Sequence, residues 1–197
     1  MKHSAQDIRK HILDTAYSII AQKGFAGVGI NEILTSAGVP KGSFYYYFGT
    51  KEAFGEALLN DYFDAYLARV DDILGATHQP AAVRLEQYFA YWASSQSSPD
   101  AGDKCLAVKL GAEVSDMSDV MRQALHKGTQ RVIQRITAAL HAGVEDGSLQ
   151  PTLDCARMAD MLYHLWLGAC IRQKITRDDS ALEATLATTR QLLNVSI

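Results

Sequence analysis

The sequence predicts an all-α protein of about nine helices, arranged as a short three-helix N-terminal head and a longer helical body. Three observations carry this. Apolar residues recur at three- and four-residue spacing nearly everywhere, beginning with Ile8, Ile12, Ala16, Ile19 and Ile20. No stretch of any length alternates with period two, so no strand is expected. Helix breakers fall at helix-length intervals, at Gly24, Gly38, Gly49, Gly75 and Gly147.

Each element follows from its own start and stop signals. Ser4 and Asp7 form a capping box for a helix over about 5–23 that stops at Gly24. A short helix over 30–37 ends at Gly38. Pro40 disfavours helix at Val39 and suits the start of the next helix, roughly 41–46. Thr50 can cap a long helix over 51–74. Val83, Leu85, Tyr88, Phe89 and Trp92 place a helix at about 80–96. The polar run SSQSSPDAGD, residues 94–103, reads as a loop. A short helix over 104–114 follows, and Asp116 and Asp119 can open another that reaches toward Val144. The last two helices lie at about 152–174 and 179–194. The first of these is apolar on most of its circumference.

The chain of 197 residues is 48% hydrophobic and 21% charged, with a formal net charge of -3. That composition supports a real core and excludes a disordered or fibrous chain. No apolar run follows the basic start MKHSAQD. The stretch from Met158 to Ile171 is interrupted by Asp160 and His164 and is too short to span a bilayer. A soluble cytoplasmic protein without a membrane role is therefore expected. Cys105, Cys155 and Cys170 make no CxxC pair and no zinc pattern with the six histidines. Reduced thiols, no metal and no cofactor are expected.

INEILTSA and KGSFYY, joined by Gly38-Val39-Pro40, form a helix-turn-helix signature. Ile33, Leu34, Ala37, Val39 and Phe44 would supply its small core. Charge agrees with this reading. Residues 1–51 hold Lys2, Arg9, Lys10, Lys23, Lys41 and Lys51 against Asp7, Asp14 and Glu32, a net of +3. The remainder is therefore -6, so a basic head sits on an acidic body.

The stretch from Gly24 to Phe54, GFAGVGINEILTSAGVPKGSFYYYFGTKEAF, resembles the TetR family of transcriptional regulators. The resemblance implies a helix-turn-helix DNA-binding domain over 1–50 and a regulatory and dimerisation domain over 51–197. In that family the helix carrying KGSFYYY reads the major groove. Lys41 and Ser43 match positions that reach base edges, and Gly42 matches one where the backbone approaches the DNA. Tyr46, Tyr47 and Lys51 match phosphate contacts, and Tyr45 a partly packed position that touches a thymine methyl or sugar. The sequence departs from the family at Gly29, where a Thr or Ser cap is common, and at Gly49, where a basic residue is frequent. Asn31 is then the polar side chain left at the start of the second helix, and is assigned a base or phosphate contact. The partner implied is double-stranded palindromic operator DNA, and an enzymatic role is not expected.

In the body, Tyr66, Tyr88, Trp92, Tyr163 and Trp166 are candidates for an apolar ligand pocket, with Tyr62, Phe63 and Tyr91 beside them. Cys105 follows a glycine-containing loop at a predicted helix start. There the helix dipole and Lys104 favour a thiolate, with Lys109 four residues on and on the same side, while Asp103 opposes it. Burial as a small apolar residue is the competing reading. CLAVKLGAEVSD and LWLGA are similar to the N-ethylmaleimide-reductase repressor subgroup of the family, which implies electrophile or oxidant sensing at Cys105. Lys174 matches a lysine of that subgroup whose ammonium would lower a thiol pKa. A homodimer is expected through Leu162, Leu165, Trp166, Gly168 and Ala169, together with Leu182, Leu186 and Leu193. Three alternatives stay open: a non-covalent apolar inducer, a thiol-dependent enzyme for which His78, His126, His141 and His164 offer no motif context, and a helical interaction module with no DNA role.

Overall fold

The structure is a computed structural model and describes residues 5–98 and 105–194. It consists of α1 (Ala5–Lys23), α2 (Ile30–Ala37), α3 (Lys41–Phe48), α4 (Lys51–Leu74), α5 (Ala81–Ser97), α6 (Leu106–Met117), α7 (Asp119–Glu145), α8 (Cys155–Thr176) and α9 (Ser180–Leu193). Among the described residues there is no strand. Ser4, half of the expected capping box, lies outside them. The chain packs as two compact units, one of residues 1–64 and 99–128, the other of 65–98 and 129–197.

The first unit is held by a stripe on α1 (Ile12, Leu13, Ala16 and Ile20) and by the buried faces of α2 and α3. α1 stops where Gly24 adopts φ +82° and donates its N–H to the Ile20 carbonyl at 2.8 Å. α2 ends in a Schellman turn: Gly38 has φ +66°, and Val39 N–H donates to Leu34 O at 3.1 Å. α3 runs two residues past its expected end because Phe48 packs on Phe44 and Phe54, at 5.3 and 5.0 Å between ring centroids. Thr50 caps α4 as expected, its hydroxyl accepting from Ala53 N–H at 3.0 Å. Within this unit the start of α7 packs closely on α4: a side chain at Gly128 would have its Cβ 2.1 Å from the Phe63 ring.

Two boundaries differ from expectation. Ser94, Ser95 and Ser97 are helical, because their hydroxyls donate back to the carbonyls of Tyr91, Trp92 and Ala93 within α5. Residues 99–104 of the expected loop lie outside the described residues. α7 is opened by Ser118, whose hydroxyl accepts from Met121 N–H at 3.4 Å. Asp116 and Asp119, the expected openers, take no such part; the Asp119 carboxylate holds Arg122 and Gln123 instead.

The second unit is built on α8 and α9 with α5 and the later part of α7. Asp154 caps α8 by accepting from Arg157 N–H at 3.1 Å. The Asp146 carboxylate, in the turn after α7, accepts from Ala81 N–H at 2.8 Å and so caps α5. Its hydrogen bonds to Ser148 and Ala81 hold it below the usual carboxylate range.

Candidate functional site

α3 turns Phe44 and Phe48 inward and leaves Lys41, Gly42, Tyr45 and Tyr46 exposed, with Ser43 and Tyr47 half-buried. A tyrosine ring 78% exposed, as at Tyr46, adds little to folding. The Tyr46 and Tyr47 rings meet edge to face at 5.0 Å, which fixes their hydroxyls relative to one another. Asn31 is exposed in the first turn of α2, beside the uncapped Gly29.

Most of the basic charge of the head is committed within its own unit. Lys10 pairs with Asp14 and Asp61 at 2.5 and 2.9 Å, and Lys23 pairs with Glu32 at 2.5 Å. The Arg9 guanidinium lies 5.3 Å over the Phe48 ring. The Lys51 ammonium donates to the Phe25 carbonyl at 3.1 Å and stands 4.9 Å over the Phe25 ring. Lys51 therefore pins the α1–α2 loop, with further donors left over for a phosphate. Lys41 is exposed and makes no ion pair among the described residues.

Cys105 is the half-exposed residue immediately before α6, and its carbonyl accepts from Lys109 N–H at 3.3 Å. Cys155 and Cys170 are buried. Burial pushes the Cys155 thiol up, and the neighbouring Asp154 charge adds to this. α6 also holds the α1–α2 loop. Lys109 Nζ donates to Gln22 O at 3.0 Å. The Glu113 carboxylate accepts from Phe25 N–H at 3.2 Å and Ala26 N–H at 2.5 Å. One helix thus carries the accessible thiol and grips the loop that leads into α2.

In the second unit Tyr88, Trp92, Tyr163 and Trp166 of the expected pocket aromatics are buried, and Tyr66 is half-buried. Phe89, Trp92 and Trp166 stack, with 5.3 Å between Phe89 and Trp166 and 5.6 Å between Trp92 and Trp166. Tyr163 closes on Trp92 at 5.6 Å, and the Tyr66 and Tyr88 hydroxyls share a hydrogen bond at 3.1 Å. Tyr62 and Phe63 belong to the first unit, where Tyr62 stacks on Tyr17. Lys174 is exposed in the last turn of α8.

The residues expected at a dimer face divide. Leu162, Trp166, Ala169, Leu182 and Leu193 are buried inside the single chain, their surface already spent on intrachain packing. Leu165 and Leu186 are half-buried and Gly168 is exposed. The outward side of α8 is instead Met161, His164, Gly168, Ile171 and Ile175, a strict three-four spacing. Among the described residues no group of His, Cys, Asp and Glu is placed to hold a metal ion, and no helix is long and apolar enough to cross a membrane.

Residues 12–58 match the domain family described as bacterial regulatory proteins, tetR family. Residues 81–189 match the tetracyclin repressor-like C-terminal domain. The chain belongs to the TetR family of transcriptional regulators. Among TetR-family proteins it is 38% identical over 192 residues to the HTH-type transcriptional repressor NemR of Escherichia coli, covering 98% of this chain and 96% of that protein. It is 30% identical to the HTH-type transcriptional repressor DhaR of a Mycobacterium species over 197 residues, 96% of this chain and 98% of DhaR. The crystal structure of Escherichia coli NemR in its reduced form superposes with a TM-score of 0.88 at 40% identity, covering 94% of this chain and 96% of that one. These TetR-family relatives are regulators, not enzymes, which removes the thiol-enzyme alternative.

Sequence reasoning missed Glu113 and gave Lys109 only an electrostatic role toward Cys105. Neither residue carries a local motif, and both contacts span 87 or 88 residues. The available signal was the placement of both residues four apart, on one side of a helix beginning at Cys105.

Proposed function

We propose that this chain is a homodimeric repressor that binds a palindromic operator through α3 and leaves it when an electrophile or oxidant modifies Cys105. The observation that carries this is the dual role of α6, with a half-exposed thiol at its start and, two turns on, a carboxylate bound to two N–H groups of the α1–α2 loop. Addition of the thiol to an activated alkene joins sulfur to one carbon as the π bond breaks, the thiol proton ending on the neighbouring carbon, at the residue that caps α6. Any shift of the first turn of that helix passes through Lys109 and Glu113 to Gln22, Phe25 and Ala26, and so to the helix pair that reads DNA. The reduced form recorded for NemR supports a thiol-based switch in the shared scaffold.

The dimer surface in this reading is the outward stripe of α8, Met161, His164, Gly168, Ile171 and Ile175. Two heads on one dimer read half-sites about one helical turn apart, which supplies the specificity a single short helix lacks.

Among the described residues of the head, Lys41 makes no ion pair, so its loss is expected to be selective. Lys41→Ala should weaken binding to the protein's own upstream DNA by about 1–3 kcal/mol and weaken a scrambled duplex less. Fluorescence anisotropy on both duplexes measures this. Equal loss on both would make Lys41 a phosphate contact only. Glu113→Ala tests the coupling. The thiol should react at the wild-type rate by mass spectrometry, while the loss of DNA affinity on modification shrinks by about tenfold, the size of a typical coupling energy. Unchanged release in that variant would remove the α6 route.

A second reading is favoured by Trp92, whose buried indole N–H has no acceptor within the aromatic stack. A non-covalent ligand bringing an acceptor to that donor would also act as inducer, and its effect would survive loss of Cys105.

A further inference from the structure

The second unit holds a groove of about 490 Å³ between the end of α4, the start of α5 and the later part of α7. Asp71, Leu74, Arg84, Arg135, Ala138 and Ala142 are among its lining residues. Arg84 is only 7% exposed. A guanidinium cannot shed its charge, so burial leaves it in need of an anion. Among the described residues no carboxylate touches it, and the Asp146 charge acts on it only through space. Arg84 makes no ion pair among the described residues, and its Nε–H is buried without an acceptor. One of its terminal nitrogens donates to the Leu74 carbonyl, which gives it only the partial charge of a helix end. The acids nearby are engaged. Asp71 holds Arg135 at 3.1 Å, and the Asp146 carboxylate is occupied by the N–H groups of Ala81 and Ser148.

We propose that this groove binds a small organic carboxylate with a short apolar chain. Arg84, whose guanidinium keeps donors beyond the one given to Leu74, lines the groove with Arg135, which stands at the same mouth paired with Asp71, and guanidinium donors suit a carboxylate. Leu74, Ala138 and Ala142 offer an apolar wall along which a few methylene groups lie out of water. A bare oxyanion such as phosphate finds no use for that wall. The site is separate from the aromatic stack and from Cys105, and stands whether or not the thiol reading holds.

Isothermal titration of hexanoate into the full-length protein tests it, with acetate and inorganic phosphate as comparators. Hexanoate is expected to bind, with acetate and phosphate weaker by about tenfold or more, since each buried methylene contributes about 0.8 kcal/mol. Ala138→Leu fills the groove without touching the charges and should weaken hexanoate by about tenfold. Arg84→Lys keeps the charge but loses the fork, and should weaken it similarly. Circular dichroism establishes that each variant is folded. Should Arg84→Lys fail that check, Ala138→Leu decides alone. Absence of hexanoate binding by the wild-type chain, undiminished binding by Ala138→Leu, or acetate and phosphate binding as tightly as hexanoate would each overturn the proposal.

Discussion

Cys105→Ser is expected to bind operator DNA like the unsubstituted protein and to stay bound after treatment with N-ethylmaleimide. Serine fits where cysteine stood, so α6 should begin as before and the grip of Glu113 on Phe25 and Ala26 should persist. What disappears is the nucleophile, because a serine hydroxyl does not ionise near neutral pH and needs a general base to react. The other two thiols cannot stand in. Cys170 is fully buried, and Cys155 is 4% exposed with a thiol pushed up by burial. Mass spectrometry of the native protein should therefore find one adduct per chain in the wild type and none in the variant. In anisotropy the wild type should lose about 100-fold in operator affinity on modification, within the range of ordinary coupling energies, while the variant changes little. Near-complete release requires roughly 5 kcal/mol of preference for the non-binding state. Equal release from the variant would sink the thiol reading and leave the non-covalent one. An adduct on Cys155 or Cys170 in the native protein would mean that its unit opens far more readily than its packing implies.

The head was legible in the sequence because its signals are local. Gly38 ends α2 with a positive φ, Pro40 starts α3, and Thr50 caps α4, each within a few residues of the feature it controls. The partition of α8 was not legible. A helix apolar on most of its circumference has no polar face to mark the outside. Only the docking of α9 and α5 decides that Leu162 and Trp166 face inward while Met161, Ile171 and Ile175 face out. The serine run after Trp92 misled for a related reason. Composition reads it as loop, but hydroxyls that bond back to the preceding turn let the helix continue. The charge asymmetry agrees with a DNA-binding family, yet its carriers Lys10, Lys23 and Lys51 all have partners inside the unit, which net charge does not reveal. Glu113 and Arg84 share one cause of invisibility. Their roles depend on neighbours that only the fold brings within reach.

Trp166→Ala is expected to cost about 3–5 kcal/mol of stability, the range for removing a fully buried large aromatic. Trp166 is 0% exposed and sits in the stack with Phe89 and Trp92, so the vacated space has rigid rings for walls and little freedom to collapse. Its indole N–H also donates to the Thr189 hydroxyl at 3.1 Å, tying α8 to α9. Trp166→Phe separates the two contributions. It keeps most of the ring contact and loses the hydrogen bond, and should cost about 1 kcal/mol for the bond beyond the change in volume. Urea unfolding at fixed protein concentration measures both, and the concentration must be fixed because dimerisation adds to apparent stability. The larger effect should reach DNA. The outward stripe of α8 keeps its register only while the inward side is anchored, so loosening the stack weakens the proposed dimer without touching its surface. Operator binding by Trp166→Ala should then become steeply dependent on protein concentration. A variant as destabilised as expected but binding DNA as an unperturbed dimer would place the dimer contact away from α8.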